Sequence, residues 1–195
     1  MKAKDLNRAK TIKDDEFYTK MKDIEYFMNF FKDYMKGKII YAPFDSEQSN
    51  FTKYFKEHKE ELGLKEFIYT SNDYKENGAI FEYVSNNDGL VVTNPPFSIL
   101  GEILEAFEKY NVKYLMVAPY TKTSADKFLC NVIEGRIFES FGIIKEFDRP
   151  DGTEKLVACN WINNIKSTQK QEKEEIKKQK FKNIPIVYNK KGENL

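Results

Sequence analysis

The residues of this chain best suited to chemistry are Asn94, Pro95, Pro96 and Phe97, which form one continuous segment. A residue that precedes proline is pushed out of the helical region, so we expect Asn94 to be extended. The two prolines fix their own φ angles and carry no amide hydrogens. The segment therefore predicts a stiff loop that presents the Asn94 side-chain oxygen and the Pro95 carbonyl oxygen without a local N–H to pair with them.

Two acceptor oxygens held in this way suit the transfer of a methyl group from a sulfonium donor to an amino group. The 6-amino nitrogen of adenine is a weak nucleophile, because its lone pair is delocalised into the ring. Acceptors that bind both of its hydrogens favour a pyramidal nitrogen, so the loop would act through positioning and electrostatics. Such a base must leave the duplex stack, and the Phe97 ring could pack on its face. The alternative interpretation is that Pro-Pro merely ends a strand.

Helical and strand patterns alternate along the part of the chain that surrounds this loop. Helices are expected over residues 23–34, 50–62 and 99–110, and strands over residues 39–42, 67–70, 80–84, 90–93 and 114–118. Strands that alternate with helices predict an α/β fold with a mostly parallel sheet. The loop of interest would then lie between a buried strand and a helix.

The carboxyl ends of the predicted strands are expected to meet at one edge of the sheet. Ligands of such sheets bind at that edge. The segments that follow the strands are Pro43–Asp45, Ser71–Asp73, Asn94–Phe97 and Pro119–Thr121. We therefore expect these four segments to line one shared cleft.

The pattern weakens after residue 121. Residues 128–133 predict a short helix, and residues 141–147 and 156–162 predict an antiparallel strand pair. Residues 166–182 are highly charged and favour a helix, while residues 184–188 could form an edge strand, to which Pro185 is suited.

The length and composition indicate one well-packed domain, or one such domain with a tail, with a charged surface. The 195 residues are 41% hydrophobic and 15% aromatic, and the formal net charge is +1. Binding to nucleic acid would therefore require that positive charge be sorted onto one face. No metal site is expected, because the spacing of Cys130 and Cys159 does not suit zinc. A cytoplasmic setting without a membrane span or signal peptide is the expectation.

Two further side chains invite a functional interpretation that the sequence does not favour. His58 lies in a charged helical stretch and is expected to be a solvated surface residue. Trp161 alternates with its neighbours as in a strand and is expected in the core, not as a platform for base stacking.

The chain resembles the adenine-specific DNA methyltransferases of the EcoRI methylase type, as a short or C-terminally reduced member. Three segments, in this order, carry the resemblance: Asp14-Asp15-Glu16-Phe17-Tyr18-Thr19, Ile40-Tyr41-Ala42-Pro43-Phe44-Asp45-Ser46-Glu47-Gln48-Ser49-Asn50-Phe51 and Val92-Thr93-Asn94-Pro95-Pro96-Phe97-Ser98. It implies a Rossmann-like class I methyltransferase fold, S-adenosyl-L-methionine as cofactor and the adenine base of DNA as substrate. It also allows for a restriction endonuclease or specificity partner.

The resemblance implies a role for the arm and for the last of these segments. Phe17, Tyr18 and Thr19 match the arm that folds over the methionine part of the cofactor, and the Asn-Pro-Pro-Phe segment matches the catalytic loop. As an alternative, Phe17 and Tyr18 could simply cap the apolar face of the helix that follows them.

The remaining cofactor contacts are implied for the loops after the first two strands. Pro43, Asp45 and Ser46 match the loop that holds the cofactor, and Asp73 is the candidate for the acidic residue that binds the ribose. Asp45 could instead shape only its own turn through a hydrogen bond to the backbone.

The chain is expected to divide into an arm over residues 1–22, a catalytic domain over 23–165 and a Lys-rich tail over 166–195. Residues 166–191 hold nine Lys and three Glu, so the tail could contact phosphate without reading bases. The family usually has a target-reading region at this position, and its reduction leaves sequence specificity open. The alternatives are amino-group methylation of RNA adenine or protein glutamine, and an inactive remnant that binds cofactor or nucleic acid.

Overall fold

One mixed sheet, flanked by helices, organises the computed structural model, which describes residues 17–71, 77–123, 138–149 and 151–165. Its strands are β1 Tyr18–Thr19, β2 Ile39–Ala42, β3 Glu66–Tyr69, β4 Leu90–Thr93, β5 Tyr114–Pro119, β6 Phe138–Asp148 and β7 Glu154–Asn163. The helices are α1 Met21–Met35, α2 Asn50–His58, α3 Gly78–Asn86, α4 Leu100–Lys109 and α5 Tyr120–Thr123. A 3-10 turn, Phe97–Ile99, precedes α4.

The strand order across the sheet is β1-β6-β7-β5-β4-β2-β3. Strands β2, β3, β4 and β5 are mutually parallel, whereas β7 is antiparallel to both β5 and β6. This arrangement confirms the predicted Rossmann-like α/β fold with a mostly parallel sheet and an antiparallel pair. The chain passes from β2 to β3 and then returns to place β4 on the other side of β2. The carboxyl ends of β2 and β4 therefore flank a topological switch point, where such sheets bind ligands.

The central strands are buried on both faces, as parallel strands covered by helices require. Successive residues alternate between two apolar clusters, with Ile40, Val92 and Leu115 on one face and Tyr41 and Met116 on the other. Helices α1 and α2 cover the first face, and α3 and α4 cover the second. The short apolar runs of the sequence therefore encode the middle of a three-layer structure.

The strand predicted over residues 80–84 is wrong, because these residues belong to helix α3. Phe81 and Val84 are its buried residues, and their separation of three places both on one helical face. A short apolar run fits either periodicity, and only the packing of the chain decides between them. In the sheet, β3 and β4 pair with the two sides of β2, so no strand of residues 80–84 lies beside it.

Several predicted elements fall outside the described residues. These are the helix over 128–133, the charged helix over 166–182, the edge strand over 184–188 and the candidate residue Asp73. Within the described part of the chain, no helix combines the length and hydropathy that crossing a bilayer would require.

Trp161 is the largest fully buried side chain and joins three elements. Its ring stacks on Phe27 of α1 with centroids 4.2 Å apart and planes 5° from parallel, and Phe51 of α2 meets it edge-on at 5.9 Å. The structure thus confirms Trp161 as a core residue. His58 is half-buried, because its ring stacks on Tyr54 at 4.5 Å and its Nδ1 lies 3.0 Å from the Tyr54 carbonyl oxygen.

Replacing Trp161 by alanine should lower the free energy of unfolding by about 3–5 kcal/mol, since it leaves a cavity between α1, α2 and the sheet. Urea denaturation followed by circular dichroism measures the change. Leu156→Ala is the matched control in the same strand, because Leu156 is 74% exposed and its truncation should cost at most about 0.5 kcal/mol. Equal losses in the two variants would contradict the role of the stack.

Candidate active site

The carboxylate of Asp45 joins the loop after β2 to the loop after β4. Its Oδ1 accepts a hydrogen bond from Ser49 Oγ and its Oδ2 one from Thr93 Oγ1, both at 2.6 Å. The backbone N–H of Asn94 also donates to it. Asp45 is only 4% exposed, and this burial raises its pKa to about 6 although the three hydrogen bonds oppose the rise. The two loops are therefore locked together at the switch point.

Asn94 connects the catalytic loop predicted from the sequence to the arm. Its Nδ2 donates a hydrogen bond of 2.6 Å to the backbone carbonyl oxygen of Phe17. Because that carbonyl can only accept, the bond fixes which end of the amide faces the arm. The other end, the buried oxygen Oδ1, has no hydrogen-bond partner among the described residues. Asn94 thus keeps one acceptor available for a further donor.

The two prolines place the next turn of the chain. Pro95 is buried, and Pro96 is extended with φ −60° and ψ 119°, directly before the 3-10 turn that leads into α4. The Ile99 N–H donates to the Pro96 carbonyl oxygen at 3.3 Å. The strand, the stiff loop and the helix therefore follow one another as the sequence predicts.

Three phenylalanine rings form a cluster beside this loop. Phe97 lies 6.1 Å from Phe17 and 6.2 Å from Phe147, measured between ring centroids, and Phe17 lies 6.4 Å from Phe147. Phe97 is 8% exposed. A base that stacks on Phe97 would therefore have to replace part of its contact with the other two rings.

The arm is held at its backbone by two elements. Tyr18 and Thr19 pair with Asp148 and Phe147 of β6 in antiparallel register. On the other side, Asn50 Nδ2 at the start of α2 donates to the Thr19 carbonyl oxygen at 2.9 Å. The arm therefore bridges the β6 edge of the sheet and the helix that follows the β2 loop.

Two further buried hydroxyl groups lie on the arm and on the β2 loop. Thr19 Oγ1 and Ser46 Oγ have no hydrogen-bond partner within residues 17–71, 77–123, 138–149 and 151–165. Buried polar atoms are nearly always paired, so such atoms are suited to bind a polar ligand. Together with Asn94 Oδ1, these are three buried polar atoms without a partner among the described residues, and all three belong to residues that the sequence analysis had already singled out.

Pro43 is held from the neighbouring strand. Thr70, which follows β3, donates from Oγ1 to the Pro43 carbonyl oxygen at 3.0 Å and also lies 3.0 Å from the Tyr41 hydroxyl. Asn77 donates to the same Thr70 oxygen at 3.4 Å. The described part of the second loop thus supports the first, while the predicted ribose ligand Asp73 lies outside the described residues.

The structure joins two of the four segments that were expected to share a cleft, those that hold Asp45 and Asn94. The sequence analysis missed Ser49 and Thr93, which bind the Asp45 carboxylate, and Asn50, which binds the arm. All three lie inside the segments that carry the family resemblance, and that position was the available signal. Among the described residues, no group of three His, Cys, Asp or Glu side chains could hold a metal ion.

Known proteins match this chain over much of its length. The family model described as adenine-specific methyltransferase EcoRI matches residues 5–89. The Type II methyltransferase M.EcoRI of Escherichia coli is 32% identical over an alignment of 222 positions, which includes 82% of this chain and 68% of that protein. M.MpnI, a Type II methyltransferase of Mycoplasma pneumoniae, is 27% identical over 57% of this chain and 43% of its own length. A crystal structure of a putative RNA methyltransferase from Pyrococcus horikoshii aligns with a TM-score of 0.39 and 16% identity, over 72% of this chain and 79% of that one.

The stability of the folded chain should depend on pH through Asp45. Its folded-state pKa of about 6 lies above its ordinary value of 3.8, so the stability contributed by this group falls as pH rises through that interval. Asp45→Asn mimics the protonated form and should gain stability relative to the wild type over this window, by up to about 3 kcal/mol. Urea midpoints of both proteins across the pH series measure the difference.

Asp33→Asn, at an exposed position of α1, is the control and should not reproduce the gain in stability of Asp45→Asn. A stability difference between Asp45→Asn and the wild type that stays constant from pH 4 to pH 6 would contradict the raised pKa.

Proposed function

The chain belongs to the EcoRI family of adenine-specific methyltransferases, and we propose that it transfers a methyl group from S-adenosyl-L-methionine to the 6-amino group of adenine in DNA. One observation carries the proposal at the level of atoms. The amide of Asn94 is oriented by the Phe17 carbonyl, and its oxygen has no partner among the described residues. An acceptor held in this way can bind an amino hydrogen.

The proposed catalytic step depends on the loop from Asn94 to Phe97. Asn94 Oδ1 would accept one hydrogen of the amino nitrogen, and the Pro95 carbonyl oxygen would accept the other. Both acceptors are held on a stiff backbone, so they need not reorganise when charge develops on the nitrogen. We propose that the extruded base packs against Phe97 in place of part of its present aromatic neighbourhood.

The cofactor would lie between the arm and the β2 loop. The buried hydroxyls of Thr19 and Ser46 fit this assignment, because each can bind a polar group of a nucleoside or amino acid. S-adenosyl-L-methionine supplies an electrophilic methyl group when bound. Both carboxylate oxygens of Asp45 already accept hydroxyl donors, so we propose that Asp45 serves the cofactor site by shaping its loop.

The remaining cofactor residues are proposed from the family match. Phe17 and Tyr18 would cover the methionine part of the cofactor, Pro43 would line its loop, and Asp73 would bind the ribose. The relatives are named Type II methyltransferases, which supports a role in restriction–modification. The partner that we propose is a restriction endonuclease or a specificity protein.

Asn94→Ala should lower the rate of methyl transfer by about 10²–10³-fold, because it removes an acceptor that acts in the transition state. Cofactor affinity should fall far less than the rate, because the arm loses its bond to Asn94 but keeps its pairing with β6 and the bond from Asn50. The rate is measured with labelled cofactor and mixed DNA, RNA and protein acceptors, followed by identification of the methylated product. Calorimetric titration gives the affinity.

Asn86→Ala, an exposed asparagine at the end of α3, is the matched control and should keep full activity. Full activity in Asn94→Ala would overturn the clamp. Label in RNA or in glutamine, instead of DNA adenine, would replace the proposed substrate by one of the alternatives.

We further propose that residues 1–22 act as the arm, residues 23–165 as the catalytic domain and residues 166–195 as a phosphate-binding tail. Removing residues 166–195 should flatten the dependence of DNA affinity on salt, by about 0.9 in the log–log slope for each lost phosphate contact. Fluorescence anisotropy with a labelled duplex at several NaCl concentrations measures the slope. An unaltered slope would show that the tail makes no such contact.

A further inference from the structure

Two cations of the β6–β7 hairpin lie beside the Phe17 ring. The guanidinium carbon of Arg149 is 5.9 Å from the ring centroid, and Lys155 Nζ is 5.7 Å from it. Both distances are within the range of a cation–π attraction. Both residues are partly exposed, and both place their charged groups beside the aromatic cluster.

The hairpin itself holds these two positions. Lys155 pairs with Phe147 across β6 and β7, and the Arg149 N–H donates to the Thr153 carbonyl oxygen at 2.8 Å. Asp151 closes the turn, because its Oδ1 accepts from the Thr153 N–H at 2.9 Å and from its hydroxyl at 2.6 Å. The backbone on both sides of the turn is therefore fixed, and with it the positions from which the Arg149 and Lys155 side chains extend.

Three carboxylates of the hairpin are directed to another cation, whereas Asp151 bonds to Thr153 and has its pKa lowered by those bonds and, to a smaller extent, by the charge of Arg149. Lys20 forms ion pairs with Glu146, Asp148 and Glu154. In the part of the chain that the structure describes, neither Arg149 nor Lys155 forms an ion pair. Two positive groups are thus left available for an anion at this edge of the site.

The ring that the cations border belongs to the residue that orients the catalytic amide. The Phe17 carbonyl accepts from Asn94 Nδ2 at 2.6 Å, and its ring lies 6.1 Å from Phe97. We infer that Arg149 and Lys155 bind the backbone phosphates that flank the extruded adenine. This inference rests on the proposed function and extends it to residues that neither the motif nor the family resemblance singled out.

Phosphate fits this pair better than the other anion expected nearby, the carboxylate of the cofactor. An extruded nucleotide carries a phosphate on each side, which matches two separate cations, whereas the cofactor has one carboxylate. A guanidinium fork matches phosphate geometry, and a lysine adds a point charge. Phosphate contacts position a nucleic acid without reading its bases, and they would hold the distorted backbone of a flipped nucleotide.

The test uses the full chain and a fluorescent DNA duplex of mixed sequence at several NaCl concentrations. Arg149→Ala and Lys155→Ala should each reduce the log–log salt slope by about 0.9, and each should weaken binding about eightfold near 0.1 M salt. The double variant should show both losses. In the methylation assay it should raise KM for DNA and leave kcat nearly unchanged.

Two control variants separate this site from general loss of charge. Lys65→Ala removes an exposed lysine just before β3, at the opposite edge of the sheet, and should keep the wild-type slope. Arg149→Lys preserves the charge and should keep the slope as well. Thermal unfolding of each variant confirms that these surface changes leave the fold intact.

Calorimetry with S-adenosylhomocysteine tests the competing ligand. Unchanged affinity in the double variant supports the phosphate site, whereas a large loss would assign the cations to the cofactor carboxylate. Wild-type slopes in both single variants, or no salt-dependent duplex binding by the wild type, would overturn the inference. If the slopes change but the chain transfers no methyl group, the phosphate contact stands and the proposed function fails.

Discussion

The buried carboxylate of Asp45 is the interaction on which the rest of the site depends. Taking a carboxylate out of water is costly unless hydrogen bonds replace its hydration. Here the replacement comes from Ser49, Thr93 and the backbone of Asn94, which lie on different elements. Moving either loop away would leave a charge unpaired inside the protein, so the β2 loop and the loop from Asn94 to Phe97 keep one relative geometry. The rigidity that the proposed clamp requires therefore comes from electrostatics as well as from proline.

A second coupling runs from this pair of loops to the arm. The Asn94 amide binds the Phe17 carbonyl, and the Asn50 amide binds the Thr19 carbonyl. In each bond the acceptor is a backbone carbonyl of the arm. One donor lies directly after β4 and the other at the start of α2. Docking of the arm and orientation of the Asn94 amide are therefore one structural event. Under the proposed function, the element that covers the cofactor also aims the acceptor at the substrate amino group.

The sheet makes both couplings possible because it brings β2 and β4 side by side although 48 positions separate Asp45 from Thr93. The strands are buried on both faces, so their ends are fixed by packing against two layers of helices. The hairpin of β6 and β7 extends the same sheet towards the arm and carries Arg149 and Lys155 to the edge of the site. One sheet thus positions the loops, the arm and the proposed phosphate contacts.

Much of this protein could be predicted from its sequence, because its strongest signals are local. Apolar runs such as residues 39–42 and 90–93 marked buried strands at the bounds that the structure shows. Pro95 and Pro96 determined a stiff loop through their own stereochemistry. The family resemblance named the arm and the β2 loop, and the roles of their residues stay predictions. The run over residues 80–84 was misassigned because a short apolar segment satisfies two periodicities.

The tertiary structure decided what depends on distant residues meeting. The Asp45 carboxylate accepts a hydrogen bond from Thr93, at the end of β4. The Phe17 carbonyl accepts one from Asn94, which lies 77 positions away in the sequence. Nothing in the local pattern distinguishes Ser49, Asn50 or Thr93 from ordinary polar residues, because their role depends on the partner that the fold brings to them. The same holds for Arg149 and Lys155. They can bind an anion because three carboxylates of the hairpin form their ion pairs with Lys20 instead.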